Sequence, residues 1–220
     1  MTIIEAMEKR HTVRKYQDKK IPVEVVEKLN QRIKDLNMEH NTNMSLVTEN
    51  TEAFNFMIKL ILAKGVKNYL ILAAKEGSDE ALGYCSTDIM LYAQTLGLNS
   101  WWVGGTFSRG KVADNANLKA NEKVIGIIAL GYGTEQGKPH KSKAASEVSI
   151  YKGDAPAWFD NGVKAALLAP TALNHQKFMI TGEESRVQIT CDNGIFTSAD
   201  LGIVKYHFEL GAGKDNFQWV

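Results

Sequence analysis

Two kinds of hydrophobic spacing alternate along the chain. From Val23 to Leu36 the apolar positions Val26, Leu29, Ile33 and Leu36 recur at helical spacing, with Glu24, Glu27, Lys28 and Lys34 on the other side. That pattern predicts an amphipathic helix started by Pro22. Tyr69 followed by Leu70-Ile71-Leu72-Ala73-Ala74, and the run from Val124 to Leu130, are of strand length and apolar on both alternations, so they predict buried strands. Between them, from about Asp79 to Leu96, Leu82, Cys85, Ile89, Ala93 and Leu96 form one helical stripe, while Met90, Leu91 and Tyr92 lie on other sides. A helix apolar on several faces belongs at the centre of its domain.

Shorter signals fill in the rest. Residues 2 to 9 predict a helix, and residues 37 to 52, rich in Asn and without period, predict a loop with a short strand at Ser45 to Thr48. Asn99 to Val103 reads as a strand that runs into Gly104-Gly105 and then a helix capped by Ser108. Asp154-Ala155-Pro156 opens a helix with the stripe Phe159, Val163, Ala166 and Leu167. Phe178 to Ile180 and Val187 to Thr190 predict a hairpin, and Ser198 a cap for a helix through Leu201, Val204 and Phe208 to Leu210-Gly211. Composition shifts near Ser146 to Asp154, which marks the internal boundary. Tyr92, Leu96 and Gly97 share their spacing with Tyr206, Leu210 and Gly211, an echo that suggests two fused, related halves.

Composition narrows the class. The 220 residues are 44% hydrophobic and 23% charged, enough for a full core in one large domain or two small ones. A net charge of +1 removes bulk electrostatics as a guide, so composition does not imply nucleic acid as a partner, a reading that needs a concentrated basic face. Cys85 and Cys191 stand far apart without CxxC or Cys/His spacing, which suggests neither disulfide framework nor zinc site and fits a reducing cytoplasm. The apolar run from Phe54 to Ala63 is broken by Asn55 and Lys59 and is too short to span a bilayer, so no membrane association is expected.

Candidate chemistry clusters at four places. Arg10-His11-Thr12-Val13-Arg14 puts two guanidinium forks and a hydroxyl within five residues, suited to one small dianion, although such charges also occur simply solvated on a turn. Gly104-Gly105 lets backbone N–H groups approach a flat heteroaromatic edge, or is an ordinary strand-to-helix turn. Lys138-Pro139-His140-Lys141-Ser142-Lys143 is a second basic loop, or a solvated one; Gly133 to Lys138 is one residue short of a P-loop and Pro139 stands where Ser or Thr is needed. In Ala169-Pro170-Thr171-Ala172-Leu173-Asn174-His175-Gln176, the amides of Asn174 and Gln176 suit an imide edge, or cap the preceding helix. His11, His40, His140, His175 and His207 show no paired spacing, and no nucleophilic triad is evident.

Taken in order, these stretches resemble the FMN-dependent nitroreductase family, in particular its internally duplicated single-chain branch, the TM nitroreductases. Arg10 to Arg14 is similar to an R-R-S-x-R start, the stretch from Gly83 ends in WVGGTF, Gly131-Tyr132-Gly133 leads to Lys141-Ser142-Lys143, and APTALNHQ is close to A-P-S-x-x-N-x-Q. The resemblance implies an α+β sandwich with a mixed, mainly antiparallel sheet flanked by helices, a single domain over residues 1–220 whose larger half (1–150) carries the phosphate clamp and whose shortened second half (151–220) completes the site. It implies FMN between the halves, one per chain. Arg10, His11, Thr12, Arg14, Lys141 and Lys143 would serve the phosphate, Gly104, Gly105 and Thr106 the ring, and Pro170, Thr171, Ala172, Asn174 and Gln176 would reach in from the second half.

No catalytic side chain is required by such a site, since the protein positions the flavin and stabilises its charge. The expected activity is transfer of a hydride from NADH or NADPH to a nitroaromatic, quinone or similar small-molecule acceptor, by a monomeric pseudo-dimer or a weak homodimer. A non-catalytic FMN-binding module is the rival, in which Trp101, Trp102, Phe107 and Tyr132 close the flavin face. Lys177, where the family commonly has Pro, bears on the acceptor pocket.

Overall fold

Thr2 opens the first helix, α1 (Ile3–Lys9), with a capping box. Its hydroxyl accepts from Glu5 N at 3.2 Å, and the Glu5 carboxylate accepts from Thr2 N at 2.8 Å. The computed structural model describes residues 1–220. Helix α2 (Val23–His40) buries Leu29, Ile33 and Leu36 as its stripe requires, and runs one turn beyond the predicted end to a left-handed Asn41 (φ 52°). That extension uses residues whose polarity read as loop: Asn37 stays helical while its side chain bonds Met44 N and O and the Thr42 hydroxyl.

Strand β1 (Ser45–Val47), helix α3 (Phe56–Ile61), strand β2 (Asn68–Lys75), helix α4 (Asp79–Thr95), strand β3 (Asn99–Val103), helix α5 (Arg109–Asp114) and strand β4 (Glu122–Gly131) follow. The four strands form one antiparallel sheet in the order β1-β2-β4-β3. Its central strands are covered on both faces. Leu70, Leu72, Ile128 and Leu130 pack toward α2 and α4, whereas Tyr69, Ile71, Ile127 and Ala129 pack with Val13, Tyr16, Phe54 and Trp101. Two-sided burial is why these strands carry no polar alternation.

The second sheet begins where the composition shifts. Helix α6 (Ala145–Val148), strand β5 (Ser149–Tyr151), helix α7 (Ala157–Ala166), strands β6 (Phe178–Glu183) and β7 (Arg186–Cys191), helix α8 (Thr197–Ala212) and strand β8 (Gln218–Trp219) complete the chain. The order is β5-β6-β7-β8, with an antiparallel β6/β7 hairpin and a parallel strand on either edge. Phe178, Ile180, Val187 and Ile189 face Phe159, Val163, Ile203, Val204 and Phe208 of α7 and α8, while Thr181, Gln188 and Thr190 face outward. Here the one-sided alternation is plain in the sequence.

Helices α4 and α8 cross at the centre, backbone against backbone. A Cβ on Gly83 would lie 2.0 Å from the Ala199 carbonyl oxygen, and one on Gly202 would lie 1.9 Å from that of Glu80. Around this contact Arg32 of α2 makes a bidentate pair with Asp88 (2.8 and 2.6 Å), and the Tyr206 hydroxyl donates to the same carboxylate at 2.7 Å. Asp88 is 3% exposed, so its charge is compensated twice.

Internal duplication is not confirmed. The reciprocal glycines do not stand at the spacing of the Tyr92/Tyr206 echo, and Gly211 lies inside α8, which is ended by Gly213 (φ 77°) rather than by the residue matching Gly97. The expected caps also differ: Ser108 precedes α5 without a capping side-chain bond, and α8 is capped at Phe196 rather than at Ser198. No helix is long and apolar enough to cross a membrane, both cysteines are free, and no three His, Cys, Asp or Glu side chains are grouped to hold a metal ion.

Candidate functional site

The segment after α1 is drawn across the end of the first sheet. Thr12 bridges Ser100 on β3, with Val13 N donating to Ser100 O at 3.1 Å; Tyr16 bridges Gly133, and Gln17 N donates to Tyr132 O at 2.8 Å. These bonds fix the two arginines in different settings. Arg14 is exposed, its guanidinium 5.2 Å from the Trp101 ring centroid, and Trp101 in turn stacks on Phe54. Arg10 is only 5% exposed, its Nε has no partner, and it forms no ion pair with any carboxylate. Burial lowers its pKa to about 10.

The phenol of Tyr16 and the imidazoles of His11 and His207 are within electrostatic reach of Arg10. Burial, then the charges of Arg10 and His140, lower the pKa of His11. On α8, His207 is fully buried and its pKa is pushed down to about 3, first by burial, with Arg10 and His140 adding repulsion. A guanidinium buried without a carboxylate partner is a site short of negative charge. That is an independent reason to place a small dianion here, and it fits the phosphate of FMN.

The loop after β4 closes over this segment. Asn99 holds Gly133 N (2.9 Å) and Gln136 (2.9 Å), and the left-handed Gly137 (φ 73°) comes so near His11 that a Cβ there would lie 2.8 Å from its side chain. Further on, His140, Ser142 and Gln176 all donate to the Leu167 carbonyl near the end of α7, at 2.9, 3.2 and 3.0 Å. The basic loop is thereby tied to the 169–176 turn: Asn174 Nδ2 donates to Lys141 O (2.8 Å), Lys143 N to Gln176 Oε1 (2.7 Å), and Lys143 Nζ to Gln176 O (2.9 Å).

Five of the candidate residues, Lys141, Lys143, Thr171, Asn174 and Gln176, are therefore bonded to one another. Gln176 is 1% exposed with both ends of its amide occupied, and Lys143 is bound to it, so these two join loops within the protein. The Thr171 hydroxyl accepts from Gln176 N at 3.1 Å, and Ala172 N donates to Asp200. Asn174 differs, because its Oδ1 is buried and unpaired. Leu173, Asn174 and Gln176 have φ of 51°, 55° and 47°, a run of left-handed non-glycine residues that costs free energy unless the surroundings enforce it. Pro170 is half-buried ahead of this turn and Lys141 is exposed.

Beside β3, Gly105 and Thr106 are exposed, and a Cβ on Gly105 would meet nothing within 4 Å. Gly104 is different. Phe196, in the loop before α8, lies against it so closely that a Cβ would come within 2.2 Å of the ring, and Phe196 also packs edge-on to Trp102 with centroids 5.5 Å apart. Of the aromatic groups expected to close this face, Trp102 is thus beside Gly104, whereas Trp101 and Phe107 are buried in the core of the first sheet and Tyr132 carries Lys19 over its ring.

Sequence reasoning missed Phe196, Asp200 and His207. Asp200, in the first turn of α8, accepts from Ala172 N with both oxygens (2.9 and 3.1 Å), while burial raises its pKa to about 6. His207 lies among the apolar positions Ile203, Val204 and Phe208, and a histidine inside such a stripe was the available signal.

The surrounding architecture is that of the nitroreductase fold. A protein from Thermotoga maritima described as a putative nitroreductase is 22% identical, with 98% of this chain and 85% of that one covered and a TM-score of 0.65. A putative nitroreductase in complex with FMN from Desulfovibrio desulfuricans (15% identical) has a TM-score of 0.53, covering 71% of this chain and 98% of that one. A protein from Clostridium acetobutylicum described as a putative NADH oxidase (21% identical) has a TM-score of 0.50, covering 65% and 96%. At these identities the likeness establishes the fold. No curated protein matches the chain significantly. The family is settled by sequence: residues 2–212 match the model of the family described as Putative TM nitroreductase, and the chain belongs to that family.

Proposed function

We propose that the chain is an FMN-dependent NAD(P)H oxidoreductase of nitroreductase type, which passes a hydride from NADH or NADPH to a nitroaromatic, quinone or similar acceptor in ping-pong order. One observation carries this reading: Arg10 is a buried cation paired with no carboxylate, in the 10–14 segment whose His11 the loop after β4 approaches at Gly137. Family membership and the FMN-bound and NADH oxidase neighbours support it in kind.

Under this reading Arg10 and Arg14, with Thr12 and Lys141, hold the phosphate by charge-assisted hydrogen bonds. Backbone N–H groups at Gly104, Gly105 and Thr106 orient the ring edge, and the Asn174 amide, with its free Oδ1, addresses the polar end. Lys143 and Gln176 fix the spacing of the loops that carry these groups. FMN, when bound, supplies a carrier that accepts and releases a hydride; the protein need only position it and shield it from water.

A second reading has a specific observation in its favour. Phe196 against Gly104 narrows the open side of the site, as a non-catalytic FMN-binding module would require. Absorbance after adding FMN, then anaerobic NADH and NADPH, separates the two. Flavin bands that bleach support the oxidoreductase, bands that persist support the binding module, and a protein that binds no FMN rejects both.

A further inference from the structure

Helix α3 is apolar on the side that meets solvent. Its inner side rests on the first sheet through Ile58 and Leu62, which pack against the cluster containing Phe54, Trp101 and Ile127. Its outer side carries Phe56, Met57, Leu60 and Ile61, exposed by 76, 58, 66 and 70%. At 3.6 residues per turn these four fall on one continuous arc of about 140°. The helix is a formed one, since the Asn55 side chain accepts from Ile58 N at 3.0 Å and Leu62 N donates to Ile58 O at 2.8 Å. No other helix of the chain sets four large apolar side chains in solvent together, and such a patch marks a contact surface.

The charge around the patch has one sign. From Ala53 to Lys75 the chain has four lysines, Lys59, Lys64, Lys67 and Lys75, and no acid. By helical spacing Lys59 flanks the arc beside Phe56, and the exposed Lys64 follows the end of the helix. Neither forms an ion pair. The acids at the border attend other lysines: Asp18 pairs with Lys67, on which Glu49 also acts, and Glu52 lies 3.8 Å from Lys111. Tyr16 N donates to Lys64 O at 2.9 Å, which brings the chain at the exposed Lys15 to the same end of α3.

Apolar side chains rimmed by unpaired cations match an anionic lipid surface, where alkyl and aromatic groups enter the headgroup boundary and lysines meet phosphates. A second copy of this chain fits less well. An isologous contact centred on this face would set Lys59 and Lys64 against their own images with no acid to answer them. A six-residue helix, about 9 Å long, also supplies few of the roughly 20–30 residues a side that a stable dimer buries. We propose that α3 docks the protein peripherally on anionic membrane, with Phe56, Met57, Leu60 and Ile61 inserted and Lys59 and Lys64 on the headgroups. The apolar run too short to span a bilayer thus serves as a surface contact, which needs no spanning helix.

The test is co-sedimentation of the full chain with vesicles of phosphatidylcholine alone, and of phosphatidylcholine and phosphatidylglycerol in equal parts. The chain should bind the mixed vesicles at least tenfold more tightly. The double variant Leu60→Gln, Ile61→Gln changes only exposed positions and should lose tenfold or more of that binding, while Lys64→Gln should lose about fivefold on the mixed vesicles and nothing on phosphatidylcholine. No binding to the mixed vesicles, equal binding to both kinds, or binding indifferent to the two glutamines overturns the proposal. Sedimentation velocity without lipid reads the other occupant: a dimer that the same double variant converts to monomer would assign the face to a second copy and overturn the lipid reading. Neither measurement involves flavin, so its outcome is separate from that of the oxidoreductase reading.

Discussion

Replacing Asp200 with Asn should stabilise the protein near neutral pH, although Asp200 anchors a turn of the candidate site. In the folded chain its carboxyl titrates at about 6, raised chiefly by burial, against an ordinary value near 3.8. At about 1.4 kcal/mol per unit, that gap amounts to roughly 3 kcal/mol of cost for keeping the charge buried above pH 6. Asp200 is partly exposed, and a carboxylate in the first turn of α8 regains up to about 1 kcal/mol from the helix N-terminus, so a net of about 1–2 kcal/mol is expected.

The sign follows from proton binding. Between pH 4 and 6 the folded chain holds more of this proton than the unfolded chain does, so its contribution is fully present below about pH 4 and is lost as pH rises to about 6. Asn keeps an oxygen that can accept from Ala172 N and has no charge to bury. Urea denaturation of both proteins from pH 4 to 7.5 should therefore give a difference in stability that grows through pH 4–6 in favour of Asp200→Asn and then levels off. A variant less stable than the parent at pH 7.5, or a difference independent of pH, would refute the reasoning.

Other perturbations probe the helix seam and the clamp. Gly202→Ala should cost about 3 kcal/mol or more, because its Cβ would meet the Glu80 carbonyl rather than a yielding side chain; a loss under 1 kcal/mol in the same urea assay would contradict the contact. Arg32→Met should cost about 2–3 kcal/mol, since Asp88 would keep only the Tyr206 hydroxyl; wild-type stability would show that the pair contributes little. For FMN binding, Arg10→Ala should lose about 2–3 kcal/mol and the exposed, ring-stacked Arg14→Ala about 1.5 kcal/mol, and isothermal titration giving equal, negligible losses would remove both from the clamp. The same titration should give one FMN per chain, and a ratio near two would contradict a single site.

Legibility in the sequence followed how local each cause was. Strands β2 and β4 were readable because burial on both faces leaves an unbroken apolar run, and α4 because its apolar residues surround it. Helix α3 was not: its apolar residues Phe56, Met57, Leu60 and Ile61 lie exposed, so the stretch lacks the polar outer face that marks an amphipathic helix. Strands β5 and β8, three and two residues long, are too short for any period. The arginine pair was visible as chemistry, but only tertiary packing separates the buried Arg10 from the exposed Arg14. Phe196 and Asp200 owe their places in the site to neighbours distant in sequence, Gly104 and Ala172.

The glycine crossing of α4 and α8 also governs which parts of the molecule can move. With carbonyl oxygens seated where side chains would otherwise stand, neither helix can slide or roll without collision, and the Lys205–Glu80 pair (2.6 Å) spans the same seam. The two sheets are therefore pinned to one another through this crossing at the middle of the molecule. On the proposed reading, the parts of the flavin site outside this frame are surface segments: the strained turn at 173–176 and the loop that lays Phe196 on Gly104.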